Sequence, residues 1–134
     1  MCNSVHRDGK TERIPLVGEG YKVFNISPEG TARTMVSPEG YVVDSAGWVT
    51  WAGYRSTKGF CFFLQKREAA RLYREWIEDD HRRHTGYRVL KIFYREGLVE
   101  QEESNIFSGN EVYRVALARR FRLAGNRYKL EVGE

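Results

Sequence analysis

Asp79, Asp80, His81 and His84 close a helix-forming run as D-D-H-x-x-H, a spacing that turns both imidazoles to one side of a helix beside two carboxylates. Such a set offers nitrogen and oxygen donors to a metal ion. The same residues end the run, where cationic His, Arg82 and Arg83 complement the negative end of a helix dipole, and His6 is the one other histidine in the chain. Solvation of a helix end is the preferred reading. His81 and His84 remain the metal-ligand candidates, with no metal assigned and no cofactor expected. Cys2 carries a second possibility: removal of Met1 would place an α-amino group of pKa ~8 beside a thiol of pKa ~8.5, a pair that can attack an acyl carbon or condense with an aldehyde. Cys61, between Phe60 and Phe62, reads as a core residue.

The elements that would position these groups follow from periodicity. Gly20–Ile26 alternates as a strand and ends at Ser27-Pro28-Glu29-Gly30, a tetrapeptide repeated as Ser37-Pro38-Glu39-Gly40 around a short strand at 31–36. Residues 41–54 predict one or two strands broken at Ser45-Ala46-Gly47, and the continuous apolar run 59–64 predicts a central one. Trp48, Trp51 and Tyr54 read either as an aromatic pocket or as core. Ala69, Leu72, Tyr73, Trp76 and Ile77 share one helical face, which predicts a helix over about 66–84, with Arg71 and Arg74 in water and paired to Glu75 and Glu78. Residues 87–94 alternate again, Glu96 to Asn110 reads as a loop, and 111–123 with 127–132 reads as a closing hairpin through Ala124-Gly125-Asn126. These elements predict an α+β fold, a mainly antiparallel sheet with one principal helix, in one domain over 1–134 with 1–18 as an extended arm.

Composition sets further bounds. The chain of 134 residues is 41% hydrophobic and 30% charged, a globular balance, and no stretch approaches the ~20 apolar residues that span a bilayer. Its first thirteen residues are polar where a signal peptide needs an apolar run, so a cytoplasmic protein with two thiol cysteines is expected and no membrane role. Cysteine-pair zinc sites, phosphate-binding glycine loops, dinucleotide fingerprints, HExxH and GxSxG are all missing from the sequence. Between Val112 and Leu130 stand six basic residues and no acid, just after a cluster of five glutamates between Glu96 and Glu111. Arg119, Arg120, Arg122 and Arg127 are therefore the candidate binding residues, because a guanidinium offers a planar fork to carboxylate or phosphate. Interleaved with Tyr113, Phe121 and Tyr128, they also permit a nucleic-acid-binding hairpin.

The Met-Cys start, Gly20-Tyr21-Lys22-Val23-Phe24, the run Lys58 to Ala70 and the strand Val112 to Phe121 resemble a set of small uncharacterised phage and prophage proteins, with Cys61 where histidine is commoner. That resemblance implies a non-enzymatic binding protein that inhibits or modulates a host or defence protein. A second set of residues is similar to the abasic-site-crosslinking, SOS-response-associated family. Cys2 matches its nucleophile, Phe24-Asn25-Ile26-Ser27-Pro28 one of its motifs, Ala46 to Trp51 another, and Asp80-His81-Arg82 echoes its histidine motif. Thr50 stands where that family has its catalytic glutamate. This likeness implies the alternative of a DNA-acting protein with Cys2 as its catalytic residue.

Overall fold

Strand-forming alternation carries most of the chain, as the computed structural model bears out over the residues it describes: 11–34, 41–51, 59–79, 86–104 and 112–130. Among the described residues nine strands and one helix occur in the order β1 (Glu12–Arg13), β2 (Val17–Ile26), β3 (Thr31–Thr34), β4 (Tyr41–Val43), β5 (Val49–Trp51), β6 (Phe60–Phe62), α1 (Lys66–Asp79), β7 (Tyr87–Ser104), β8 (Val112–Leu123) and β9 (Lys129–Leu130). All nine strands belong to one sheet.

The pairing curls that sheet on itself. β2, β7 and β8 are consecutive antiparallel neighbours, β6 pairs along β8 from Phe60 opposite Ala118 to Phe62 opposite Ala116, and a bridge from Phe63 to Tyr21 returns β6 to β2. The circuit β2, β7, β8, β6 encloses one core. Phe24, Phe60, Phe62, Ile92, Tyr94, Ala116, Ala118 and Phe121 fill it, with Phe60 and Phe121 edge to face at 4.8 Å. Successive residues on a strand point to opposite faces, so Val23, Cys61, Phe63, Val115 and Leu117 build a second cluster outside the curl, which Ala69 and Leu72 of α1 cover.

Both tight turns are written in the sequence. Gly30 and Gly47 adopt φ of +87°, a conformation that costs glycine nothing, in the turns that leave β2 and β4. Ser27 accepts from Gly30 N–H on its carbonyl and from Thr31 N–H on its hydroxyl, closing the first turn.

Three expectations change. The sheet is mixed, because β9 lies parallel to β3 rather than antiparallel to β8. β8 has no edge to offer a closing hairpin, since β7 takes one side and β5 and β6 divide the other. The segment from Glu96 onward is strand rather than loop: β7 runs to Ser104, with a register shift between Gly97 and Glu100 and Glu96 at φ 54°. A Cβ at Gly97 would stand 2.1 Å from the Pro15 carbonyl oxygen, so the bulge needs glycine where the lead-in passes, and β1 then pairs with β7 at Val99 and Glu100. Arg71 keeps a 36% exposed side chain, in keeping with its expected place on the water side of the helix, and its guanidinium also stacks 4.1 Å from the centroid of Tyr113 and donates to the Val112 carbonyl. The helix is described to Asp79; residues 80–85, the second Ser-Pro-Glu-Gly turn and the side chains of Trp76 and Ile77 lie outside the described residues.

Candidate functional site

Trp48 lies buried at the exit of the turn between β4 and β5, and Asp44 fixes it there. One carboxylate oxygen of Asp44 accepts from Ala46 N–H at 2.9 Å and from Trp48 N–H at 3.0 Å, while the other accepts from Arg120 at 3.1 Å. These donors, the Trp48 amide first and the Arg120 charge after it, hold the Asp44 carboxyl below the usual carboxylate range.

Three guanidinium groups gather over the indole. Arg95 of β7 lies 4.1 Å from its ring centroid, Arg120 of β8 5.5 Å and Arg122 of β8 5.7 Å, with Arg122 also 5.6 Å from Phe93. The register explains the convergence: Arg95 is directly opposite Arg120, and Phe93 is directly opposite Arg122. Like charges placed opposite each other across a ladder repel, and the described ion pairs give this cluster one carboxylate, Asp44. The Nε of Arg120 and the Nε of Arg122 are buried and have no hydrogen-bond partner. Positive charge beyond the one described carboxylate, carried over an aromatic floor, is the electrostatic character of this patch, while the two buried Nε groups lie out of reach of solvent.

Other basic residues are spent on the fold. Arg114 bridges Glu12 and Glu100 at 2.9 Å each, which ties β1 to β7 and β8, and Glu100 raises its already high pKa. Lys91 pairs with Glu19 at 2.8 Å.

The four arginines proposed from sequence separate. Arg120 and Arg122 lie on the Trp48 patch. Arg119 lines a cleft of about 690 Å³ beside Leu117, Leu98 and Arg13, and Arg127 lies 5.4 Å from the Tyr128 ring beside a smaller cleft of about 350 Å³. Sequence reading missed Arg95 and Asp44 as partners of Trp48. Arg95 sits seventeen residues before the basic run, and only the β7 to β8 register brings it in. Trp51, in contrast, packs edge to face on Phe60 at 5.1 Å as core. Cys2, His81 and His84 lie outside the described residues, as does Tyr54, and among the described residues no three His, Cys, Asp or Glu side chains cluster to hold a metal. Cys61 is buried as expected but is not a thiol: it is half of a disulfide, which corrects the expectation of two thiol cysteines.

Lys22 is the one described amine that burial reaches strongly. Its ammonium donates to the Cys61 carbonyl across the β2 to β6 seam, and desolvation lowers its pKa from 10.5 to about 8. The unfolded chain therefore binds more protons than the folded one between these two values, so stability rises with pH from 8 upward. Tyr94, raised by burial from 10.0, acts in the opposite sense above that value, which leaves pH 8 to 10 as the window. Urea melts of wild type should show increasing stability there, approaching about 3 kcal/mol for the full shift. Lys22→Met should flatten the profile; an unchanged slope in that variant would contradict the assignment.

No protein-family model, curated protein or solved structure matches this chain. The class is set by the fold itself, a curled mixed sheet with one helix and an arginine–tryptophan patch on one face. Among the described residues no helix is long and apolar enough to cross a membrane.

Proposed function

We propose that this chain is a small non-enzymatic binding protein of the phage type, which modulates a host or defence protein by docking an acidic surface on Arg95, Arg120 and Arg122. The observation that carries the reading is the convergence of three guanidiniums on Trp48 with Asp44 as the described counter-charge. Trp48 is 8% exposed, so its ring supports the arginines and leaves little face for a nucleobase to stack on, which favours protein carboxylates over single-stranded nucleic acid. Interfaces draw on arginine for the same bidentate geometry.

The test places a photo-crosslinking phenylalanine analogue at Phe93, opposite Arg122, and irradiates cells of the host. An adduct destroyed by protease and untouched by nuclease is the expected result. A nuclease-sensitive adduct would transfer the patch to nucleic-acid binding, and no adduct in the presence of a folded protein would remove it as a docking surface. Asp44→Asn sharpens the test, since the amide oxygen can keep the turn while the negative charge beside Arg120 is lost. Affinity for the captured partner should rise several-fold, measured by titration calorimetry; a fall would mean that Asp44 itself contacts the partner.

A further inference from the structure

Leu98 and Val99 of β7 pack only partly buried against the outer cluster that α1 covers, and with Leu117 of β8 they line the cleft of about 690 Å³. The lead-in at Ile14 and Leu16 forms its other wall, with Leu16 72% exposed. Two backbone hydrogen bonds fasten that wall to β7: Ile14 N–H donates to the Leu98 carbonyl and Gly97 N–H to the Leu16 carbonyl. Polar groups enter at two levels. Gln101, which among the described residues is the one buried polar side chain, lines the cleft, and Arg13 and Arg119 line it from exposed positions.

Charge decides what such a cleft can take. None of its described lining residues is acidic. Glu12 and Glu100, on the strands that supply Arg13 and Val99, are both held by Arg114 at 2.9 Å, and strand alternation turns them to the face opposite Arg13 and Val99. Among the described residues Arg13 and Arg119 therefore have no ion-pair partner. Register brings the two together. Arg13 is opposite Val99, and Leu117 falls in the β8 stretch between the partners of Gly97 and Glu100, two residues before Arg119. Two strand spacings of ~4.8 Å across and two rises of ~3.3 Å along put the Arg13 and Arg119 Cα atoms ~12 Å apart, with the apolar side chains between them.

We propose that this cleft binds a small amphiphilic anion, a monocarboxylate with a hydrocarbon tail, its head held by Arg13 and Arg119 and its tail laid on Leu98, Val99 and Leu117. The volume lies in the range of small-molecule sites, about 300–1,000 Å³, and so does the lining, apolar with a few polar groups that fix orientation. Each rival chemistry wastes part of it. Inorganic phosphate would leave the apolar wall unused, and a neutral lipid would leave two guanidiniums unpaired. A nucleotide would find no ring to stack on, since no aromatic residue lines the cleft among those described. The inference does not depend on the Trp48 patch, because Arg95, Arg120 and Arg122 are not part of this lining.

The experiment titrates the full ¹⁵N-labelled chain with octanoate and follows its backbone amide signals. Saturable shifts of the Leu98, Val99 and Leu117 amides are expected. Octanamide, which keeps the tail and loses the charge, and acetate, which keeps the charge and loses the tail, should each bind about tenfold more weakly or worse. The variant carrying Arg13→Ser and Arg119→Ser should lose affinity for octanoate by the same factor while its affinity for octanamide stays unchanged. No saturable shift at these amides would overturn the proposal, whether the cleft is filled by the chain itself or simply does not bind. Equal binding of octanoate and octanamide, or octanoate binding that survives loss of both arginines, would overturn it as well. Shifts confined to Trp48 and its neighbours would assign the anion to the other patch and remove it from this cleft.

Discussion

Replacing Phe121 with alanine is expected to lower the free energy of unfolding by about 3–5 kcal/mol. The ring is fully buried, stands 4.8 Å from Phe60 and 6.2 Å from Phe24, and its strand position pairs with Tyr94 on one side and Val49 on the other. It therefore joins the closed circuit of strands to the β4–β5 arm that carries Trp48. Removal leaves a cavity between rings that backbone pairing holds apart, so collapse can recover little of the lost contact. A single domain of this size commonly holds about 5–15 kcal/mol in total, and the variant should melt far below wild type in urea. Phe121→Leu, which keeps most of the volume, should cost far less. A loss under about 1 kcal/mol for alanine would mean that the curl does not enclose a close-packed core.

The second large effect concerns binding. Changing Arg95, Arg120 and Arg122 together to serine should weaken the partner complex by about 100-fold or more, because hydrogen bonds to charged groups contribute about 1.5–3 kcal/mol each and 1.4 kcal/mol is a factor of ten. Folding should survive. The substitutions relieve the facing pair Arg95 and Arg120 and remove two buried Nε groups without partners, at the expense of the Asp44 pairing. Arg119→Ser is the control, since Arg119 lines the cleft of about 690 Å³ and not the Trp48 patch. Equal losses from Arg119 and from the triple change would indicate general charge attraction rather than a docking surface.

Much of the fold was legible in the chain. The helix face, the glycine turns and the central apolar strand rest on local period and turn chemistry, and Ala69, Leu72, Gly30, Gly47 and Phe60–Phe62 take the places these rules assign. What local reading could not supply was partner choice between strands. Lys129–Leu130 alternates no differently beside β3 than it would beside β8, and only the occupation of both β8 edges sends it away. Acidity made Glu96 to Ser104 look like loop, whereas its glutamates sit on a strand where Glu100 is tied to Arg114. The site was half legible for the same reason. Arg120 and Arg122 stood out as a cluster along the sequence, but Arg95 and Asp44 reach Trp48 through register and a turn, which no count of charges reveals. Arg119, adjacent to Arg120, went elsewhere, to a cleft whose lining includes Leu98, Val99 and Gly97 at the β7 register shift.

The central claim is that an acidic partner docks on the guanidiniums around Trp48, and the salt dependence of the wild-type affinity for the protein captured at position 93 tests it most directly. Screening shortens the reach of exposed charges to ~10 Å at 0.1 M salt and ~3 Å at 1 M. Affinity should fall steadily across that range, with the slope largely abolished in the variant lacking Arg95, Arg120 and Arg122. An affinity indifferent to salt, or a slope that survives the loss of those three arginines, would contradict the claim.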